Sequence, residues 1–331
     1  MPKSILDLIN ETPLGLLNKS KSLNPRGRKR KTQSSQRAEK LSYTIKKIQW
    51  IMNDLNLRNK VAVITGGAGV ICSEMARALA FQGVKTVIVD LNYESAVKTA
   101  SEIEKEFKTP SLGLSANVLE KVSLEESKRI INEKFGPVDI LLNGAGGNSP
   151  AATTKAEKME GTETEDPADT FFGLQAEAFD KVFNLNFKGT LLPTMVYAQD
   201  MIKAKSGVII NISSMNSYRP LTKIPAYSAA KAAVNNFTQW LAVHFSKTGI
   251  RVNSIAPGFL LTNQNRFLLI DEKSGELTAR SKKILNATPM ERFGVPEELT
   301  GTILYLASDL SKFVTGVVIP VDGGFSAYSG V

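Results

Sequence analysis

The chain has one cysteine and one histidine in 331 residues. The single thiol, Cys72, cannot close an intramolecular disulfide, which suits a reducing cytoplasm. The single imidazole, His244, has no second histidine and no nearby cysteine to share a zinc ion, so we read it as a surface or helix-end residue. Long apolar runs are also missing. No stretch approaches eighteen apolar residues, which excludes a transmembrane helix. The start, "MPKSILDLIN", has only a short apolar patch, then a polar basic segment without a small-residue cleavage pattern, which argues against a secretory signal.

Charge of one sign is missing from most of the chain, despite a formal net charge of +9. Residues 1–50 hold 12 Lys/Arg against 3 Asp/Glu, and residues 51–331 hold 29 of each. The basicity that would suggest a nucleic-acid partner therefore belongs to a tail. Residues 18–40, "NKSKSLNPRGRKRKTQSSQRAEK", cannot bury enough apolar area to offset ordering entropy. We expect a basic, disordered extension over 1–51, more a solvated tail than a nucleic-acid patch, or a chain whose translation starts at Met52.

From Lys60 onward, short β-branched runs alternate with amphipathic segments. "VAVIT", "VKTVIVD", "SLGLSANV" and "VDILLNGAG" read as strands, separated by helices at "ICSEMARALAFQG", "YESAVKTASEIEKEF" and "LEESKRIINEKFG". A helix near 176–204, a strand "GVIINIS", a helix from about Ala226 to Phe245, a strand "IRVNSIAP", a helix at "PEELTGTILYLASD" and a strand "GVVIPVDGG" follow. The pattern predicts one α/β domain over 52–331, a Rossmann-like doubly wound parallel sheet with helices on both faces. Two stretches break the rhythm, 151–170 and 259–287. Both leave the strand ends where ligands bind in open α/β sheets, and we expect them to act as lids.

"TGGAGVICSE" stands between the first strand and the first helix. Backbone N–H groups and a helix N-terminus in such a turn can receive a pyrophosphate. Gly67 and Gly69 fit the first two glycines of G-x-G-x-x-G, and Cys72 stands at the third. Asp90 ends the second strand, where a carboxylate accepts from ribose hydroxyls and repels a 2′-phosphate, so NAD is expected over NADP.

"YSAAK" places Tyr227 and Lys231 on one helix face. Ser214 ends the preceding strand. A phenol, ordinarily near pKa 10, needs help to act at neutral pH, and an adjacent ammonium favours the phenolate. A serine hydroxyl opposite can polarise a carbonyl. The set suits proton transfer to or from a carbinol oxygen.

With these residues in view, the chain resembles the short-chain dehydrogenase/reductase family over about residues 58–325. The resemblance implies Ser214, Tyr227, Lys231 and Asn186 as the catalytic set, Asn186 lying in "FNLNFKGT". It implies cofactor contacts from Gly66, Gly67, Gly69, Val70, Asp90, Asn117, Val118, Asn143, Gly144, Ala145, Tyr227, Lys231, Pro257, Gly258 and Thr262. The family's Asn-Asn-Ala-Gly appears as "NGAG", with Gly144 at the second Asn. Its T-G-x-x-x-G-x-G keeps Thr65 and Gly66 but meets Val70 and Cys72 at the later glycines. The family also implies a homotetramer or homodimer. Within it, "GAGGNSPAATT", "PGFLLTNQNRFLL" and "VDGGFSAYSGV" resemble a D-mannonate oxidoreductase (fructuronate reductase) subgroup, which implies that the altered turn works, with NAD and a sugar-acid substrate in hexuronate catabolism.

Substrate contacts are expected from Asn148, Arg219 and Arg266, with Gln264 and Asn265 as further amides, because a uronate carboxylate suits Arg. A gluconate 5-dehydrogenase-like activity is the nearest alternative. A nucleotide-sensing scaffold with a nucleic-acid-binding tail is the remote one, and steeply salt-dependent binding lost on removing 1–51 would mark it.

Overall fold

The computed structural model describes residues 55–162, 166–262, 265–272 and 274–330, together with Ser42. The basic extension expected over 1–51, the start at Met52 and Gln264 lie outside the described residues, Ser42 excepted.

Seven parallel strands form one sheet in the order β3-β2-β1-β4-β5-β6-β7. They are β1 (Val61–Thr65), β2 (Lys85–Asp90), β3 (Ser111–Ser115), β4 (Ile140–Asn143), β5 (Gly207–Ile212), β6 (Ile250–Pro257) and β7 (Val318–Val321). The order reverses between β1 and β4, which pair as Ala62 with Ile140 through Thr65 with Asn143. A crevice opens at the carboxyl ends of two such strands, because their crossovers leave in opposite directions.

The strands are apolar on both faces because both faces are covered. Ala62, Ile64, Ile88, Leu142, Ile210 and Ile255 pack to one side, with Met75, Leu79 and Ile303 from helices. Val61, Val63, Val87, Val89, Leu141, Ile209 and Val252 pack to the other, with Leu124, Val196 and Leu241. Consecutive residues alternate between the two cores, the period-2 signature of a strand. Each fully buried Ile or Leu contributes roughly 1.5–3 kcal/mol of transfer free energy.

The helices are α1 (Val70–Phe81), α2 (Tyr93–Phe107), α3 (Lys121–Lys134), α4 (Ala176–Phe183), α5 (Gly189–Ala204), α6 (Pro225–His244), α7 (Arg266–Leu269), α8 (Ala279–Asn286) and α9 (Thr300–Ala307). The single helix expected near 176–204 is interrupted: a π-helical turn, Asn184–Lys188, separates α4 from α5. The helix expected from Pro296 begins as a 3-10 turn, Pro296–Leu299, before α9. No helix among the described residues is long and apolar enough to cross a membrane.

Candidate active site

β1 delivers Thr65 and Gly66 to the crevice. Gly66 has φ +61, and a Cβ there would lie 2.8 Å from Ala145 Cα, so glycine is required twice over. Thr65 Oγ1 accepts from the amides of Gly144 at 3.1 Å and Ala145 at 3.4 Å, tying the turn to the end of β4. The sequence kept Thr65 in its motif without revealing this role. No side chain caps α1, and no acidic residue stands in its first turn. Its first amides are thus left for an anionic ligand. Asp90 ends β2 and accepts from Ala68 N at 3.2 Å and Asn92 N at 3.1 Å, which aims the carboxylate at the turn. These features fit a dinucleotide.

The two departures at Cys72 and Gly144 prove to be one feature. A Cβ added to Gly144 would lie 2.1 Å from Cys72 Sγ. The thiol fills the space that a side chain at 144 would take. Cys72 is 4% exposed, and burial pushes its thiol up to about 12. It is a protonated packing group, not the thiolate that a helix start favours.

Ser214 follows β5, and its Oγ accepts from Asn216 N at 3.2 Å. Tyr227 lies in the first turn of α6, with Pro225 at the helix start. Lys231 is buried one turn on. Its Nζ donates to Ile212 O at 2.7 Å and stands 5.6 Å from the centre of the Tyr227 ring. Asn186 sits inside the π-turn and is fully buried. Its Nδ2 donates to Gly147 O at 2.7 Å and Val182 O at 2.8 Å, and its Oδ1 accepts from Gly147 N at 3.3 Å. A Cβ at Gly146 would lie 2.6 Å from Asn186 Oδ1 and 3.2 Å from Lys231 Nζ. Asn186 and Lys231 therefore converge beside Gly146.

The electrostatics differ from the expectation that Lys231 would lower the phenol. Burial raises the Tyr227 phenol above its ordinary value, and a hydrogen bond with Ser214 pulls the other way. Burial also depresses Lys231, from 10.5 to about 8. A neutral phenol is the form that gives a proton. The ammonium beside it is present below about pH 8 and lost above. For a reduction that needs this ammonium, kcat/KM in the free enzyme should fall as pH rises through 8, approaching tenfold per unit. A profile flat to pH 10 would show that the charge on Lys231 is dispensable.

Of these groups, Tyr227 lines a cleft of about 810 Å³, and Ser214, Lys231 and Asn186 lie outside its lining. Gly66, Gly69, Val70, Asp90, Asn117, Val118, Gly144, Ala145, Asn148, Tyr227, Gly258 and Thr262 line it, as do Phe259, Leu260 and Leu185, which the sequence did not single out. Gly67, Asn143, Lys231 and Pro257 are not in the lining. Several expected contacts are otherwise engaged. Asn143 is buried and donates to Thr194 Oγ1 and Asn211 Oδ1, tying β4 to α5 and β5. Asn117 accepts from Leu119 N and donates to Glu120. Asn265, expected to meet sugar hydroxyls, lines the cleft, and it donates to Leu260 O and accepts from Thr262 N, each at 2.8 Å. Asn148 donates to Thr153 Oγ1 at 3.0 Å. Arg219 and Arg266 are exposed and stand outside the cleft lining. His244 ends α6, its ring stacked on Trp240 at 4.6 Å.

Comparison with known proteins agrees with this geometry. The short chain dehydrogenase family matches residues 60–273. An uncharacterized oxidoreductase of Bacillus subtilis, UxuB, is 51% identical over 83% of this chain and 98% of its own. The crystal structure of a Haemophilus influenza protein, provisionally assigned as a D-mannonate oxidoreductase and holding NAD, is 53% identical. It covers 83% of this chain and 97% of its own, with a TM-score of 0.79. The 2-dehydro-3-deoxy-D-gluconate 5-dehydrogenase of Dickeya dadantii is 34% identical over 84% of this chain and 99% of its own.

Proposed function

The chain belongs to the short chain dehydrogenase family, and from that premise we propose that it is an NAD-dependent oxidoreductase interconverting D-fructuronate and D-mannonate in the cytoplasm. The observation that carries the proposal is the 53% identity with the NAD-holding Haemophilus protein, over 83% of this chain and 97% of that one. Tyr227 on the cleft lining, with Lys231 Nζ 5.6 Å from its ring centre, supports it.

The first amides of α1, with Gly66 and Gly69, would hold the pyrophosphate, and Asp90 the adenosine ribose. Bound NADH supplies the hydride for the carbonyl carbon. Ser214 Oγ donates to the carbonyl oxygen and polarises it. Tyr227 then gives its phenolic proton to that oxygen as negative charge develops. Lys231, fixed by Ile212 O, stabilises the phenolate left behind. Asn186, locked by three hydrogen bonds, holds the path by which solvent returns the proton. The reverse reaction takes the same route, with Tyr227 as base.

Asp90 should set the cofactor preference. Asp90→Asn keeps an acceptor for Ala68 N and removes the charge. The ratio of kcat/KM for NADH over NADPH should fall by about tenfold. An unchanged ratio would mean that another residue discriminates.

A second reading, reduction of a 5-keto-aldonate, is favoured by the 34% identity with the Dickeya enzyme. Following NADH consumption with D-fructuronate, D-tagaturonate and 5-keto-D-gluconate separates the two. Preference for fructuronate supports the first reading, and preference for 5-keto-D-gluconate replaces it with the second.

A further inference from the structure

Phe259 lines the dinucleotide cleft and also a neighbouring cavity of about 370 Å³, which it shares with Glu157, Lys223, Arg280 and Lys283. A further depression of about 500 Å³ continues past Lys283 to Arg219. The cavities share Leu221, Lys283, Ala287 and Phe325, so they form one groove. Phe259 and Phe325 meet edge to face at 5.4 Å in its wall. Phe259 belongs to both linings, so the groove adjoins the cleft that Tyr227 lines.

The groove's charge is lopsided. Arg219, Lys223, Arg280 and Lys283 line it, and Glu157 is the one carboxylate among its lining residues. Lys283 Nζ meets Glu157 at 3.0 Å. That pair joins the excursion after β4 to the excursion after β6. Lys283, and after it Lys223, hold the Glu157 carboxyl below its ordinary range. Lys223 has φ +75, a conformation that a non-glycine residue seldom adopts. Its carbonyl accepts from Thr154 N at 2.9 Å, which secures the loop. Cations that outnumber their carboxylate, next to a carbonyl-reducing centre, form a receptor for an anionic end of the substrate.

We propose that this groove is the carboxylate pocket of the sugar-acid substrate, with Lys223 and Lys283 as specificity-determining cations and Glu157 as an internal carboxylate that the substrate displaces. The proposal rests on the keto-acid reading above. It moves carboxylate recognition away from Arg266 and leaves Arg219 at the outer rim.

Displacement predicts opposite effects from the two members of one ion pair. Lys283→Gln and Lys223→Gln should each raise KM for the preferred keto-acid by about tenfold, with kcat moved less than twofold. Glu157→Gln should lower KM by about threefold, because the competitor is gone. Calorimetry on the full chain saturated with NADH gives a second readout. D-mannonate or D-gluconate should bind through Lys283, whereas neutral D-mannitol should be indifferent to these substitutions.

If Lys283→Gln and Glu157→Gln both raise KM, the pair is only a loop latch and the proposal falls. It falls also if neither lysine variant changes KM or sugar-acid binding, or if the wild type binds neither acid. If the wild type reduces none of the keto-acids yet binds D-mannonate through Lys283, the pocket stands and the keto-acid reading fails. Normal turnover indifferent to all three substitutions overturns the pocket and leaves the keto-acid reading in place.

Discussion

Tyr227→Phe should lower kcat/KM for keto-acid reduction by about 10³–10⁴-fold while leaving NADH affinity within twofold. The substitution removes one oxygen. The ring keeps its packing against the cluster of Ala152, Ala178, Val182 and Ala226, so stability should be nearly unchanged. The loss corresponds to about 4–5.5 kcal/mol of transition-state stabilisation. That is more than a lost neutral hydrogen bond explains, and it reflects a proton with no donor. Ser214→Ala should cost less, about 10²-fold, because it removes polarisation of the carbonyl but keeps the acid. The two losses should not add, since Ser214 also bonds the phenol. Retention of a tenth of wild-type turnover in Tyr227→Phe, with intact NADH binding by fluorescence, would remove Tyr227 from the chemistry.

The sheet was legible because its physics is local. Alternation of small and branched apolar residues marks each strand, and each helix carries its own stripe. The chemistry-bearing types at Ser214, Tyr227 and Lys231 were legible for a similar reason, since strand-end and i,i+4 placements follow from the elements themselves. Where sequence reading failed, the answer depended on contacts between distant segments. The π-turn around Asn186 adds one residue to a helical ring, and a smooth apolar stripe does not record that. Asn143 advertises hydrogen-bonding capacity, but nothing in the sequence says that Thr194 and Asn211 use it. The pairing of Glu157 with Lys283 spans 126 positions. The burial that raises the Tyr227 phenol likewise comes from distant segments and was not visible in the sequence.

The same distinction explains the altered glycine turn. Read singly, Cys72 where a glycine is usual and Gly144 where an asparagine is usual each suggest a damaged cofactor site. Together they are complementary: the side chain has moved from one wall of the crevice to the other. Gly144→Ala should therefore be costly, because the new Cβ meets Cys72 Sγ at 2.1 Å and Thr65 O at 2.8 Å. We expect a loss of about 3 kcal/mol in urea unfolding, the upper range for overpacking, together with weakened NADH binding as Thr65 and the turn shift. Cys72→Gly alone should cost about 1–2 kcal/mol through a small void and a glycine in α1. In the double variant, Cys72→Gly with Gly144→Ala, the sulfur obstacle is gone. The combined loss should be smaller than the sum of the single losses by about 1 kcal/mol or more. Recovery should remain partial, because Thr65 O still crowds the new methyl group. Simple additivity of the two losses would show that the thiol and the glycine do not share one space, and that the turn tolerates Cys72 for some other reason.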